Sequence, residues 1–301
     1  MRIPTFQNTR MLTPTADERL TSRPAVVLLL FFLVMPVSQL LRSLVSSAGT
    51  LIFPDGLDRN GQILLALFAT LATVGTVLLY CLAVEKRSLA SLGFIRRGAA
   101  GEYAVGLLGG LALFGAGVLI CVAAGTLTLT PADPMPSWRI LLLFFVGFLI
   151  QGMSEEMLCR SYLMVSLSRG CPLWLAAIIN ALFFSLLHLG NPGVTVIALV
   201  NIFLFGLFAS LLTLRRGSIW MVGALHSMWN FAQGNLFGIP VSGLGGIASP
   251  VRAEMTEGTW QSLVSGGSFG LEGGLAVTAV LAVACGAVLL LPTKRSEAIQ
   301  S

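Results

Sequence analysis

Eight long apolar runs leave this chain little freedom of fold class: 24–47, 62–84, 104–124, 139–168, 173–190, 194–214, 218–236 and 272–291. A helix needs about 20 mainly apolar residues to cross the hydrocarbon core of a bilayer. Lipid offers no hydrogen bonds to an open backbone, so runs of this length are expected to be helices. Hydrophobic residues make up 55% of the chain and charged residues 10%, with a mean hydropathy of +0.88. That balance excludes a soluble globular core. The expected fold class is all-α, a polytopic transmembrane bundle of about eight helices. Residues 24–291 form its single domain, between an N-terminal tail (1–23) and a C-terminal tail (292–301).

The net charge is +5. A basic chain invites a nucleic-acid reading, but the basic residues cluster at the ends of apolar runs, so they report topology and no nucleic-acid partner is expected. The N-terminal tail, the 85–103 loop with Lys86, Arg87, Arg96 and Arg97, then Arg169, Arg215–Arg216, Lys294 and Arg295 fall on one face. The other face carries Asp55, Asp58, Asp133, Glu254, Glu257 and Glu272 beside Arg59, Arg139 and Arg252. This asymmetry predicts a multi-pass plasma-membrane protein with both termini cytoplasmic. The polar stretch before residue 24 is long for a signal peptide and no A-x-A site follows the first run, so that helix is expected to be retained. The cysteines (Cys81, Cys121, Cys159, Cys171, Cys285) form no C-x-x-C and read as small buried hydrophobes.

The embedded polar chemistry is concentrated. The chain has two histidines, His188 and His226, and both lie in apolar runs. A third run carries Glu155, Glu156 and Arg160. Each charge placed in a bilayer costs roughly 2.5–3.5 kcal/mol on insertion scales, and such residues mark function by default. Glu156 and Arg160 are i,i+4 and can pair on one helical face, whereas Glu155 points about 100° away. Glu156–Arg160 therefore reads as a supporting ion pair and Glu155 as the reactive carboxylate. Counted outward from the turn at Arg169–Pro172, Glu155 and His188 reach nearly equal depth on neighbouring helices. A carboxylate and an imidazole so placed suit activation of water. Phe184, four residues before His188, shields one side of its ring. His226 and Asn230 share a face four residues apart, with Gln233 extending the stripe, and their donors suit an oxyanion hole. The competing structural reading is interhelical hydrogen bonding, which is the reading adopted for Asn180 and Asn201. The 139–168 run is too long for an upright span, so it must tilt, protrude or kink near Gly152. The Gly- and Ser-rich 237–271 stretch is either a connector or a segment folded over a site.

E-E-x-x-x-R at Glu155–Arg160, F-x-x-x-H at Phe184–His188 and H-x-x-x-N at His226–Asn230 resemble, in order and spacing, the CPBP intramembrane protease family, which includes type II CAAX prenyl endopeptidases and bacteriocin-immunity (Abi) proteins. Ser88–Phe94 resembles the S-L-x-x-L-G-F stretch that precedes its core. The motif core covers 139–235. The resemblance implies an eight-helix intramembrane endopeptidase acting on a peptide or membrane-anchored protein within the lipid bilayer. It implies water activation by Glu155 with His188, oxyanion stabilisation by His226 and Asn230, and support from Glu156, Arg160 and Phe184. Intramembrane hydrolysis needs a wet cavity, for which Ser154, Asn230 and Gln233 are candidate lining residues. Zinc is possible as a cofactor, with His188, His226 and Glu155 as candidate ligands. The metal-free route is preferred, because the residue roles above need no metal. The alternative reading is a non-catalytic membrane protein, either a pseudoenzyme scaffold or a proton-relay transporter, although no inverted repeat supports a transporter.

Overall fold

The computed structural model describes residues 9–19, 21, 23–52 and 56–290. The expected tail 292–301 and the first eight residues of the expected tail 1–23 lie outside the described residues, as does Asp55. The architecture is an all-α membrane bundle with one small two-stranded sheet. In chain order the helices are α1 (Pro24–Ile52), α2 (Arg59–Ala69), α3 (Leu71–Leu79), α4 (Ala99–Ala123), α5 (Trp138–Glu156), α6 (Val165–Leu167), α7 (Leu173–Leu186), α8 (Val196–Arg216), α9 (Trp220–Phe231), α10 (Thr259–Ser265) and α11 (Leu275–Leu290). π-helical turns extend α3 through Tyr80–Val84, join α5 to α6 through Met157–Met164 and extend α9 through Ala232–Leu236.

Five helical segments are long and apolar enough to span a bilayer: Pro24–Gly49, Arg59–Val84, Ala99–Ala123, Trp138–Leu167 and Val196–Arg216. Helices α7 and α11 are shorter apolar helices, and α9 is extended by its π turn. Each of the eight expected runs thus contains a helix. Their starts are set by local chemistry. Asp58, Ser137 and Thr195 are N-caps whose side chains accept hydrogen bonds from the amides of Gly61, Ile140 and Ala198, satisfying donors that have no partner within the helix.

Two boundaries differ from expectation. The 139–168 run does not break at Gly152: α5 continues through it and the helix widens only after Glu156. Helix α7 stops at Leu186 instead of reaching 190, because Pro192 cannot continue it and Gly193 takes a left-handed φ of 71°. His188 therefore sits on the terminal turn, its amide bonded to Ser185 O at 3.0 Å.

Helix α9 is the centre of the bundle. Nine of its residues, Val222 to Phe231 apart from Met228, are buried, and it packs against α4 and α5. Close approach to α4 depends on a missing side chain: a Cβ on Gly110 would lie 2.3 Å from Leu225 O. Helices α7, α8 and α11 pack side by side, and α1 packs on α2 and α3. Asn180 Nδ2 donates to Ser210 Oγ at 2.9 Å and Asn201 Nδ2 to Glu272 O and Gly274 O at 2.8 and 2.9 Å, so both asparagines tie helices together. The outer surface of α1 exposes Leu29, Phe32, Leu33, Leu40 and Leu44, as a lipid-facing helix does.

The stretch 237–271 is not a plain connector. It supplies β2 (Val251–Met255), antiparallel to β1 (Leu127–Pro131), with Leu127 opposite Met255 and Pro131 opposite Val251. Burial alternates along β2, the period-two pattern of a strand with one covered face.

If the Gly110 contact sets the α4–α9 spacing, Gly110→Ala should destabilise the purified protein by about 1–3 kcal/mol, the usual range for overpacking. Gly115, whose added Cβ would meet nothing within 4 Å, is the control. Thermal unfolding in detergent should show a lower midpoint for Gly110→Ala and an unchanged or higher one for Gly115→Ala.

Candidate active site

The carboxylates come from the last turn of α5. Glu156 has a fully buried side chain and Glu155 one that is 31% exposed. This difference follows from the 100° step between neighbours on a helix. Glu156 Oε1 accepts from Arg160 Nη1 at 3.0 Å and from His226 Nδ1 at 2.8 Å. Arg160, also fully buried, donates from Nη2 to Gly206 O at 3.1 Å and lies 4.5 Å over the Phe184 ring. Four helices therefore meet at one ion pair: α5 with its π turn, α7, α8 and α9.

Glu155 turns away from that pair, into a cavity of about 510 Å³. Gln151 Nε2 donates to its Oε1 at 2.7 Å, and Gln151 Oε1 in turn accepts from Asn230 Nδ2 at 3.0 Å. Glu155 Oε2 makes no hydrogen bond among the described residues and lies 3.7 Å from His226 Nε2. His226 is thus held between two carboxylates, one at each ring nitrogen. Since a carboxylate only accepts, Nδ1 is its donor towards Glu156.

His188 borders the same cavity. Its Nδ1 lies 2.9 Å from Phe184 O. A carbonyl only accepts, so Nδ1 carries the proton and Nε2 keeps a lone pair in the neutral ring. The Phe184 ring stands 5.2 Å from His188 and 5.9 Å from His226, between the two imidazoles and Arg160. Glu155, His188, His226, Asn230, Phe184 and Ser154 all line the cavity, whereas Glu156 and Arg160 lie buried behind it.

Helix spacing brings α5 and α9 together here. A Cβ on Gly152 would lie 2.5 Å from Ser227 Oγ, so glycine lets α9 press its His226–Asn230 face against the glutamates. The expected role of Gly152 as a kink is replaced by this close approach.

Gln233 does not line the cavity. It is fully buried, and its Nε2 donates to Pro240 O at 2.5 Å and to Glu272 Oε2 at 3.4 Å. The same Glu272 oxygen accepts from Ser242 N at 2.9 Å and Oγ at 2.7 Å. These bonds pin the segment that carries Val241, Ser242, Leu244 and Ile247 into the cavity wall. Gln151 was absent from the sequence-derived site, although its i−4 position relative to Glu155 is a signal for a shared face. The Glu156–His226 contact spans 70 residues and has no local signal.

The candidate zinc ligands His188, His226 and Glu155 share the cavity, but among the described residues no group of three His, Cys, Asp or Glu side chains forms a metal-holding set. Zinc usually takes three protein ligands; Nδ1 of each histidine has a protein partner, which leaves Nε2 as the nitrogen able to ligate. Among the described residues these side chains are not gathered into a three-ligand set, and the chemistry below is derived from side chains alone.

Residues 137–232 match the family model described as type II CAAX prenyl endopeptidase Rce1-like. The match runs from the N-cap of α5 to the first residue after α9 and contains all three motifs. It is the family that those motifs resemble. The match covers about a third of the chain, so this segment is similar to a CAAX-type protease domain, and the long apolar helices around it are those of an integral membrane protein. No curated protein matches the chain.

The two glutamates should separate by stability. Breaking a buried pair leaves an uncompensated charge and costs about 3–5 kcal/mol. Glu156→Ala should therefore lower the thermal midpoint sharply, and Glu155→Ala, at a half-exposed cavity position, should shift it far less.

Proposed function

We propose that the protein is an intramembrane endopeptidase that hydrolyses a peptide bond of a membrane-associated protein or peptide. The observation that carries this reading is the convergence on one cavity of a carboxylate with an oxygen that makes no hydrogen bond, an imidazole whose Nε2 keeps a lone pair and two further donor side chains. Glu155 and His188 deprotonate water, whose oxygen attacks the scissile carbonyl carbon. The new C–O bond pushes the carbonyl electrons onto oxygen. Asn230 has a second amide N–H beyond the one given to Gln151, and protonated His226 donates from Nε2 while Nδ1 holds Glu156; both steady the oxyanion. Collapse of the tetrahedral species breaks the C–N bond, and the amine leaves with the proton taken from water.

Support for Asn230 as a donor comes from its place beside Gln151, which fixes its rotamer. Glu156, Arg160 and Phe184 act by positioning: they hold His226 and His188 without touching substrate. The Lys and Arg distribution supports both termini in the cytoplasm of a plasma-membrane protein.

The test is cleavage of a fluorogenic peptide library by purified protein. Glu155→Ala and His188→Ala should each abolish turnover while keeping the wild-type elution profile and a melting point close to that of the wild type. Asn230→Ala should lose about 10²–10³ in kcat, the usual effect of removing one oxyanion donor. Turnover unchanged in Glu155→Ala would sink the reading. Chelator treatment should leave wild-type turnover intact, and loss restored by added zinc would overturn the metal-free scheme.

A further inference from the structure

Two groups of polar side chains in the cavity lining stand out. One is the reacting set on α5, α7 and α9. The other lies on α1 and α2 and has no part in the proposed chemistry: Ser38, Gln39, Arg42, Arg59 and Gln62. Most of this second set already has partners. Ser38 Oγ lies 2.6 Å from Thr73 Oγ1, and Gln62 Nε2 donates to Leu57 O at 2.9 Å. Arg59 is exposed and donates to Gly245 O from Nε and Nη2 at 3.3 and 3.2 Å.

Arg42 differs. It is half-buried, it lines the cavity, and among the described residues it makes no hydrogen bond or ion pair. It shares a helical face with Ser38, four residues earlier, on a helix whose neighbouring Leu40, Leu41, Leu44 and Val45 are exposed on the apolar side. It lies ten residues before the end of α1 at Ile52, about 15 Å along the axis. A guanidinium is always charged. Placed in a membrane cavity it calls for an anion, and the carboxylates of the cavity are engaged elsewhere. Glu155 is held by Gln151 and faces His226, and Glu272 is held by Ser242 and Gln233.

We propose that Arg42 anchors the substrate by binding a carboxylate of the peptide. The inference rests on the protease reading for its occupant. An unmodified peptide carries two kinds of anion, its C-terminal carboxylate and Asp or Glu side chains, and both match the planar two-pronged donor of arginine. Arg42 then gives the cavity a preference for acidic peptides, set apart from the groups that break the bond.

Binding tests this without relying on turnover. The full chain carrying Glu155→Gln is purified in neutral detergent. A labelled mixed-sequence ten-residue peptide library is offered in four forms: a free or amidated C-terminus, each with Asp or with Asn at the acidic positions. At least one carboxylate form should bind about tenfold tighter than the doubly neutral form. Arg42→Gln should remove that preference, and Arg42→Lys, which keeps the charge but loses the two-pronged geometry, should retain part of it. The form that carries the preference identifies the source of the anion. Should Arg42→Gln fail to fold, the reduced preference in Arg42→Lys remains the readout. A preference that survives in the substituted proteins, no difference between forms, or no binding of any form overturns the proposal. So does Arg42-dependent binding of phosphatidylglycerol without any peptide preference, which would make Arg42 a lipid contact. An intact carboxylate preference in a wild-type protein that cleaves nothing would count against the protease reading alone.

Discussion

A carboxylate with no exposure to solvent sits in the middle of an apolar bundle, and the arrangement around it follows from that. Glu156 is tolerable there only because Arg160 and His226 both donate to the same oxygen, at 3.0 and 2.8 Å. Unpaired, the charge would be strongly destabilising. Arg160 in turn must satisfy a buried guanidinium, and it does so through Gly206 O on α8 and the Phe184 ring on α7. Those contacts fix the relative placement of α5, α7, α8 and α9. The pairing is less a source of stability than a constraint: any other packing of these helices would strand a charge.

The reactive half of the site inherits its geometry from this constraint. Glu155 is the neighbour of Glu156 on the same turn, so orienting one carboxylate into the core turns the other into the cavity. His226 touches both carboxylates through opposite nitrogens. Asn230, one turn further along α9, reaches Gln151, which holds Glu155. Helices α5 and α9 are thus laced twice, once through charge and once through amides, and Gly152 allows the backbones to come close enough for both. The Glu272 carboxylate fastens Ser242 and Gln233, so the stretch after α9 becomes wall and not tether.

Much of this was legible before any coordinates. The apolar runs located the helices because lipid enforces helical backbone. The i,i+4 spacing of Glu156 and Arg160 foretold their pairing, and the spacing of Phe184 and His188 their ring contact. Other features had no local signature. The π-helical widening at Met157–Met164 leaves no periodicity to read in a stretch buried on all sides. Gln233 extends the polar stripe of α9, but the stretch after α9 folds back and claims its amide. The ending of α7 before His188 was signalled by Asn191-Pro192-Gly193 and outweighed the apolar run that reaches 190.

The sequence by itself determined the class of the fold, the places where helices begin, and which few side chains bear charge inside the membrane, since each follows from solvation and from contacts within one helical turn. Only the tertiary structure decided that both histidines, the two glutamates and Asn230 meet at one place, that Glu156 takes His226 as well as Arg160, and that Arg42 shares their cavity. Those pairings join residues tens of positions apart. Their selection depends on how whole helices pack to leave no buried charge alone, which no local pattern encodes.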